Sequence, residues 1–404
     1  MLANLIELFI TVPAVFSVPD AISVRNPVLF KIGILMISTM KSNKPRVLVS
    51  GVGTRFGGTE TVVSRYIGAL SEKYAFDTIS SRPYQQVEYS MGDNRIINIP
   101  GWKENPIEHI TRLRRLFYGH GTEYCAFWHN ANSYWNIETI ELAAKANIPV
   151  RICHYHCSQA LGGPAKRFST WALRKHVANL SNVLLACSQE AGEYAFPGHT
   201  FDILNNAFDV SLFSYQETNR LSVRAELGLR DSFVIGHVGR LSSVKNQILL
   251  VRSLPEIIKF RANAMLVLVG EGPSKELIME EARSLGVENH LVLTGPRMDV
   301  ASLLSAFDVF AFPSVFEGLG MAAVEAQANG LPCVISDQVP RAVAVSDSVC
   351  FLPPENPSLW ADTLCAFDRS SFCLKPNLIN RFDINKESLK LAEYFKGSKP
   401  GFGD

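Results

Sequence analysis

Two glutamates in an E-x7-E arrangement, Glu317 and Glu325, stand in the run Phe312-Pro313-Ser314-Val315-Phe316-Glu317-Gly318-Leu319-Gly320-Met321-Ala322-Ala323-Val324-Glu325. A helix is expected over 320–329. Glu317 precedes it on the loop and Glu325 lies more than one turn inside, so the two carboxylates reach different parts of one ligand. The amides around Gly318, Leu319, Gly320 and Met321 lack partners at a helix start, which makes an anion site. Ala322, Ala323, Ala326 and Ala328 keep the helix slim enough to lie close on a sheet. Arg240 and Lys245 flank a second loop that leads into a helix. Arg supplies a planar fork, Lys a point charge and the helix a positive dipole end, a set that suits a diphosphate. Taken alone, that pair is a weak signal, since a surface Arg and Lys on a loop are more often just solvated. Gly270-Glu271-Gly272-Pro273 and Thr294-Gly295-Pro296-Arg297 add two further Gly-rich or charged loops. A ligand with sugar hydroxyls at one end, a diphosphate in the middle and a ribose at the other engages all four.

These loops follow short apolar strands. The pattern predicts strands over 234–238, 265–269, 291–293, 309–311 and 333–336, alternating with helices over 247–261, 274–285, 300–306 and 320–329. Such alternation means βαβ units and a parallel sheet, which binds ligands at the carboxyl ends of its strands. An earlier set has strands at 47–50, 124–128, 150–154 and 182–187, with helices at 59–70, 135–146 and 165–179. A polar stretch over 211–231 separates the two sets. The reading is an α/β chain of two Rossmann-like halves, 40–214 and 215–380. A C-terminal segment, 381–404, follows, with a helix over 385–395 that crosses back to the first half.

The chain has 404 residues, 47% hydrophobic and 19% charged, enough for two cores. A formal net charge of +1 gives no global field for nucleic acid. None of the eight cysteines makes a C-x-x-C pair, and several sit in apolar strands, as buried reduced thiols do. The apolar runs 5–18 and 28–40 are too short or too interrupted to span a membrane, and neither resembles a signal peptide. Met40-Lys41-Ser42-Asn43-Lys44-Pro45-Arg46 stands directly before the first strand. The expectation is a cytoplasmic protein whose translation starts at Met40, with 1–39 an extension outside the pattern. A short membrane-surface anchor is the rival reading of those residues.

Residues 46–395 resemble the E-x7-E retaining glycosyltransferases of the GT-B fold, glycosyltransferase family 4, and are most similar to its bacterial capsule and exopolysaccharide branch. The matching pieces are Gly57-Gly58-Thr59-Glu60, Val150 through His156, Ala186 through Gly192, Leu204 through Asp209, Ile235 through Asn246, Glu317 through Glu325, and Gly330-Leu331-Pro332. The resemblance implies two facing Rossmann-like domains and transfer of a hexose or N-acetylhexosamine from a nucleotide-diphosphate sugar, such as a UDP-sugar. The acceptor it implies is a saccharide or lipid-linked saccharide in surface polysaccharide biosynthesis. It assigns Arg240 and Lys245 to the diphosphate, Glu325 to the ribose, Glu317 to the donor sugar and the backbone at Arg297 to the base. Gly58 would let the first-half loop approach the phosphates or acceptor. His156 would stand near the reacting sugar, although Tyr155 and Cys157 replace the small residue and Asn that relatives often carry beside it.

Cys153-His154-Tyr155-His156-Cys157 invites a metal reading, but strand alternation puts the two His on one face and the two Cys on the other. No Asp-x-Asp motif occurs. The expectation is therefore no metal and no cofactor, the nucleotide sugar being a co-substrate. Lys166, Arg167, Phe168, Trp171, Arg174 and Lys175, with Arg112, Arg114 and Arg115, read either as a solvated face or as a peripheral contact for anionic membrane. A sugar-nucleotide epimerase or phosphorylase and a non-catalytic nucleotide-sugar binder are the rival function classes.

Overall fold

The computed structural model describes residues 43–52, 58–80, 92–134, 137–157, 163–367, 369 and 376–398. The expected extension 1–39, the start at Met40, Gly57 and the first residues of the helix expected from 135 lie outside them.

Seven parallel strands form the first sheet: β1 (Arg46–Ser50), β2 (Ala75–Ser80), β3 (Arg95–Asn98), β4 (Tyr124–Ala131), β5 (Val150–Tyr155), β6 (Val183–Ala186) and β7 (Asp202–Ile203), in the order β3-β2-β1-β4-β5-β6-β7. Helices α1 (Gly58–Leu70), α2 (Pro106–His120), α3 (Glu138–Lys145), α4 (Pro164–Leu180) and α5 (Gln189–Ala195) connect them. Val47, Val49, Phe76 and Trp128 pack one face under α1; Leu48, Phe127, Cys153 and Tyr155 pack the other.

The second sheet has six parallel strands, β8 (Phe233–Val238), β9 (Ala264–Val269), β10 (Leu291–Gly295), β11 (Val309–Phe312), β12 (Cys333–Ser336) and β13 (Val349–Leu352), in the order β10-β9-β8-β11-β12-β13. Its helices are α6 (Glu217–Glu226), α7 (Gln247–Phe260), α8 (Lys275–Ser284), α9 (Val300–Ala306), α10 (Met321–Ala328) and α11 (Pro357–Ala366). Both strand orders reverse beside the first strand of the half, and such a reversal opens a ligand crevice at the carboxyl ends of the strands.

The polar stretch 211–231 is not a plain linker. It holds α6, whose Arg224 is buried and bonds Asp308, Ala306 O, Arg230 O and Ser232 O. The last helix, α12 (Ile384–Phe395), crosses back as expected. Leu391, Tyr394 and Phe395 enter the first-half core, and Phe395 lies edge-on to Tyr74 and Trp128. The outgoing and returning chains run side by side: Phe208 N–H donates to Phe382 O at 2.9 Å, and Ile384 N–H to Phe208 O at 3.0 Å.

Candidate functional site

The site on the second half is built by backbone. The 239–246 loop after β8 lies against the loop after β9: Gly239 N–H donates to Val269 O at 3.0 Å and Leu241 N–H to Glu271 O at 2.9 Å. The approach demands glycine. A Cβ on Gly270, at φ +132°, would sit 2.2 Å from Gly239 O, and one on Gly272 equally close to Leu241 O. Asn246 takes the left-handed conformation and ties its amide to Pro354 O at 3.0 Å. Beneath the loop, His237 shares Nδ1 with Ala311 O at 2.9 Å and Nε2 with Gln247 at 3.1 Å. Gln247 also donates to Arg240 O at 2.9 Å. Burial pulls the His237 pKa down to about 4, so the loop rests on a neutral ring. His237 stands inside the matching run 235–246 and Gln247 directly after it, but neither was singled out as a support for the loop.

Over the crevice between β8 and β11, Lys245 Nζ reaches Glu317 Oε1 at 2.5 Å and lies 5.0 Å from the centre of the Phe312 ring. The structure thus pairs two expected site residues. Arg240 is exposed at the same edge and makes no ion pair among the described residues. Gly320, at φ +92°, turns the chain into α10, with Leu319 buried and Gly318 and Met321 half-buried. Arg297 is held by Glu226 at 2.6 Å and Asp299 at 2.7 Å. Those acceptors, Asp299 first, raise its pKa, so its guanidinium is engaged while its backbone stands at the loop after β10.

The first half presents neutral groups. His156 follows β5, is buried, and places Nε2 3.0 Å from Asn130 Oδ1. Burial pulls its pKa down to about 4, against a smaller upward pull from Asn206. His129 sits 2.9 Å from Ser50 Oγ and is likewise lowered to about 4 by burial. The His154 and His156 rings lie 4.0 Å apart, on one side as strand alternation predicts. Among the described residues no group of three or more His, Cys, Asp or Glu is arranged to hold a metal ion. Gly58 opens α1 exposed, and the next residue, Thr59, exchanges hydrogen bonds with Asn132 at 2.9–3.2 Å. Asn132 also accepts from the Cys157 thiol at 3.2 Å. Asn132, which no motif singled out, joins the start of α1 to the residue after His156.

The two carboxyl edges face each other. A Cβ on Gly318 would sit 3.3 Å from His156 O. Arg65 of α1 bonds Glu325 of α10 at 2.8 Å.

Residues 232–367 match the family model described as glycosyl transferases group 1. A putative glycosyltransferase of Bacillus subtilis, EpsF, is 31% identical over 342 residues, covering 80% of this chain and 88% of that protein. The chain is a GT-B glycosyltransferase. A second relative, the Escherichia coli UDP-Gal:alpha-D-GlcNAc-diphosphoundecaprenol alpha-1,3-galactosyltransferase, is 37% identical over 115 residues, covering 28% of this chain and 30% of that one. In three dimensions this glycosyltransferase is similar to Anabaena Alr3699/HepE, solved with UDP and glucose. That match has a TM-score of 0.70 and 19% identity, over 87% of this chain and 100% of that one. It is also similar to sucrose-phosphate synthase from Thermosynechococcus elongatus, with a TM-score of 0.69 and 18% identity over 88% and 99%. Such identities speak to the fold, which has the two Rossmann-like sheets the amino-acid pattern predicts. Among the described residues no helix is long and apolar enough to cross a membrane.

Proposed function

We propose that this glycosyltransferase moves a hexose or N-acetylhexosamine from a UDP-sugar to a saccharide or lipid-diphosphate-linked saccharide, with retention and without a metal, in surface polysaccharide biosynthesis. The observation that carries the reading is the Lys245–Glu317 pair over the β8/β11 crevice, beside the start of α10. Lys245 and the exposed Arg240 meet the diphosphate, joined by the amides of 318–321. Glu317 accepts hydroxyls of the donor sugar, Glu325 those of the ribose, and the backbone at Arg297 meets the base. As the bond from the sugar to the diphosphate breaks, charge builds on the leaving phosphate. Preorganised donors aimed at that charge lower the barrier. His156, neutral near pH 7, contributes a polar contact rather than a charge. The nucleotide sugar is a co-substrate, and no cofactor is called for.

The substrates in the name of the E. coli relative, UDP-Gal and a diphosphoundecaprenol-linked sugar, support this choice of donor and acceptor, as does the UDP in the Anabaena structure. A lipid-held acceptor fits work at the inner face of the cytoplasmic membrane. There exposed Phe168 and Trp171, their rings 5.9 Å apart, lie on the helix that carries Arg167, Arg174 and Lys175. The test is a screen of nucleotide sugars against lipid-diphosphate saccharides in excess EDTA, with the product's anomeric configuration read by NMR. A retained product formed in chelator is expected. An inverted product, or activity restored only by Mg²⁺ or Mn²⁺, overturns the reading.

A further inference from the structure

Glu325 is 7% exposed, and the cation beside it comes from the other half of the molecule. Arg65 lies two turns into α1, and its Nη2 meets Glu325 Oε1 at 2.8 Å. The guanidinium also packs against a pair of aromatic rings. Its Cζ stands 5.7 Å from the centres of both the Phe208 and Phe213 rings, which meet edge to face at 5.0 Å. Phe208 is the residue that pairs with the returning chain. The neighbour of Arg65, Tyr66, donates its hydroxyl to Asn205 O at 2.6 Å, and Asn205 N–H donates to Glu387 at 2.8 Å. Arg65 is therefore anchored to the crossing between the halves rather than hanging from a free surface.

A planar guanidinium packed against a pair of rings and bonded to a carboxylate is a geometry that lysine cannot reproduce. A carboxylate offers about four acceptor positions on its two oxygens. An ion pair on Oε1 thus fixes the direction of the group and leaves acceptor capacity for a ligand. We infer that Arg65 is a positioning residue: it holds the Glu325 carboxylate oriented for the ribose hydroxyls of the donor nucleotide, so that the ribose subsite is completed by both halves. This rests on the donor reading above, in which Glu325 takes the ribose.

The experiment measures the affinity of the full chain for UDP and for 2′-deoxy-UDP. Wild type should prefer UDP by about tenfold or more, the range of a hydrogen bond to a charged group. Arg65→Gln should weaken UDP by a similar factor of roughly ten and bring the ratio of the two affinities close to unity. The turnover at saturating donor should stay near wild type. Arg65→Lys, which keeps charge and bulk, should give an intermediate ratio and serves as the readout if Arg65→Gln does not fold. A ratio unchanged from wild type in both variants overturns the inference, even if UDP affinity falls, because a purely structural role would weaken both nucleotides alike. Wild type that binds UDP without preferring the ribose removes Glu325 from that role. Wild type that binds no UDP overturns the donor reading itself. These last two outcomes sink the inference together with its premise and are distinguishable from its failure alone.

Discussion

The loops after β8 and β11 bring formal charges to the edge of the cleft: exposed Arg240, and Lys245 against Glu317. The ends of β1, β4 and β5 bring uncharged polar groups and bury them: Ser50 on His129, Asn130 on His156. One half gathers charged groups at the cleft. The other buries neutral imidazoles at its strand ends, because burial disfavours the charged form of each ring, and carries its charge at the cleft on Arg65 of α1, paired with Glu325.

The sharpest way to break this contrast is to remove one group from each side. Lys245→Ala should lower turnover by ~10²–10³, the usual loss for a preorganised donor at a developing charge, and Glu317→Ala should also cripple transfer, because it removes the acceptor for the donor sugar's hydroxyls. His156→Gln should cost on the order of tenfold or less, the scale of a neutral hydrogen bond. Steady-state kinetics decide it, and equal losses on the two sides would end the distinction.

Next come the backbone contacts. Gly270→Ala would place a Cβ 2.2 Å from Gly239 O, and Gly51→Ala would place one 1.7 Å from Asn130 O, both at positive φ. Each should destabilise by roughly 1–3 kcal/mol through backbone strain alone, read as a fall in Tm. Only Gly270→Ala should also weaken UDP. Calorimetry in which Gly51→Ala weakens UDP equally would show that the buried neutral strand ends shape the donor side too.

A pH titration separates the halves less sharply. His129, His156 and His237 are lowered to about 4 from 6.5, and His154 is lowered well below its usual value, chiefly by burial with His156 adding to it. The unfolded chain therefore binds protons more readily than the folded one below pH 6.5. Stability is complete above that value and falls as the pH drops towards 4, by about 1.4 kcal/mol per pH unit for each such group. Denaturant midpoints between pH 7 and 4.5 measure it. His156→Gln should flatten the slope by one group's share.

The smallest effect expected is at the outer face of the first half. Neutralising Arg114, Arg115, Arg174 and Lys175 should weaken binding to anionic vesicles by about 1 kcal/mol per residue near the surface, with UDP affinity unchanged. Vesicle co-sedimentation that does not move would leave those residues a solvated face.

The second half was far more legible than the first. Its inner strands are short apolar runs buried on both faces, and 309–311 and 333–336 appear almost as expected, whereas the half-buried edge strand β13 was not expected. In the first half, β2 and β3 escaped because β2 carries Asp77 inside the sheet. Arg46 at 2.5 Å, Arg95 at 2.6 Å and Tyr124 at 2.8 Å satisfy it from other strands, and no local pattern announces such partners. Helix α6 escaped for a similar reason: its buried side is marked by Arg224 as much as by Val223. The site residues on loops could be found by type and spacing. Arg65, His237 and Asn132 could not, since each matters through a contact with a residue distant in the chain or hidden beneath a loop.

The return of α12 also sets a timetable for synthesis. The first half leaves the ribosome without Leu391 and Phe395, which close its core over Trp128 and Tyr74. Translation at ~5–20 residues per second needs roughly 10–40 s to make the part of the chain after Phe208. The second half can bury its own sheet during that interval, whereas the first must wait with the part of its core that α12 closes left open beside α1. Nascent domains generally fold in the order they emerge; here the half made first is completed last, and a prematurely terminated chain would expose its unfinished core to chaperones and proteases.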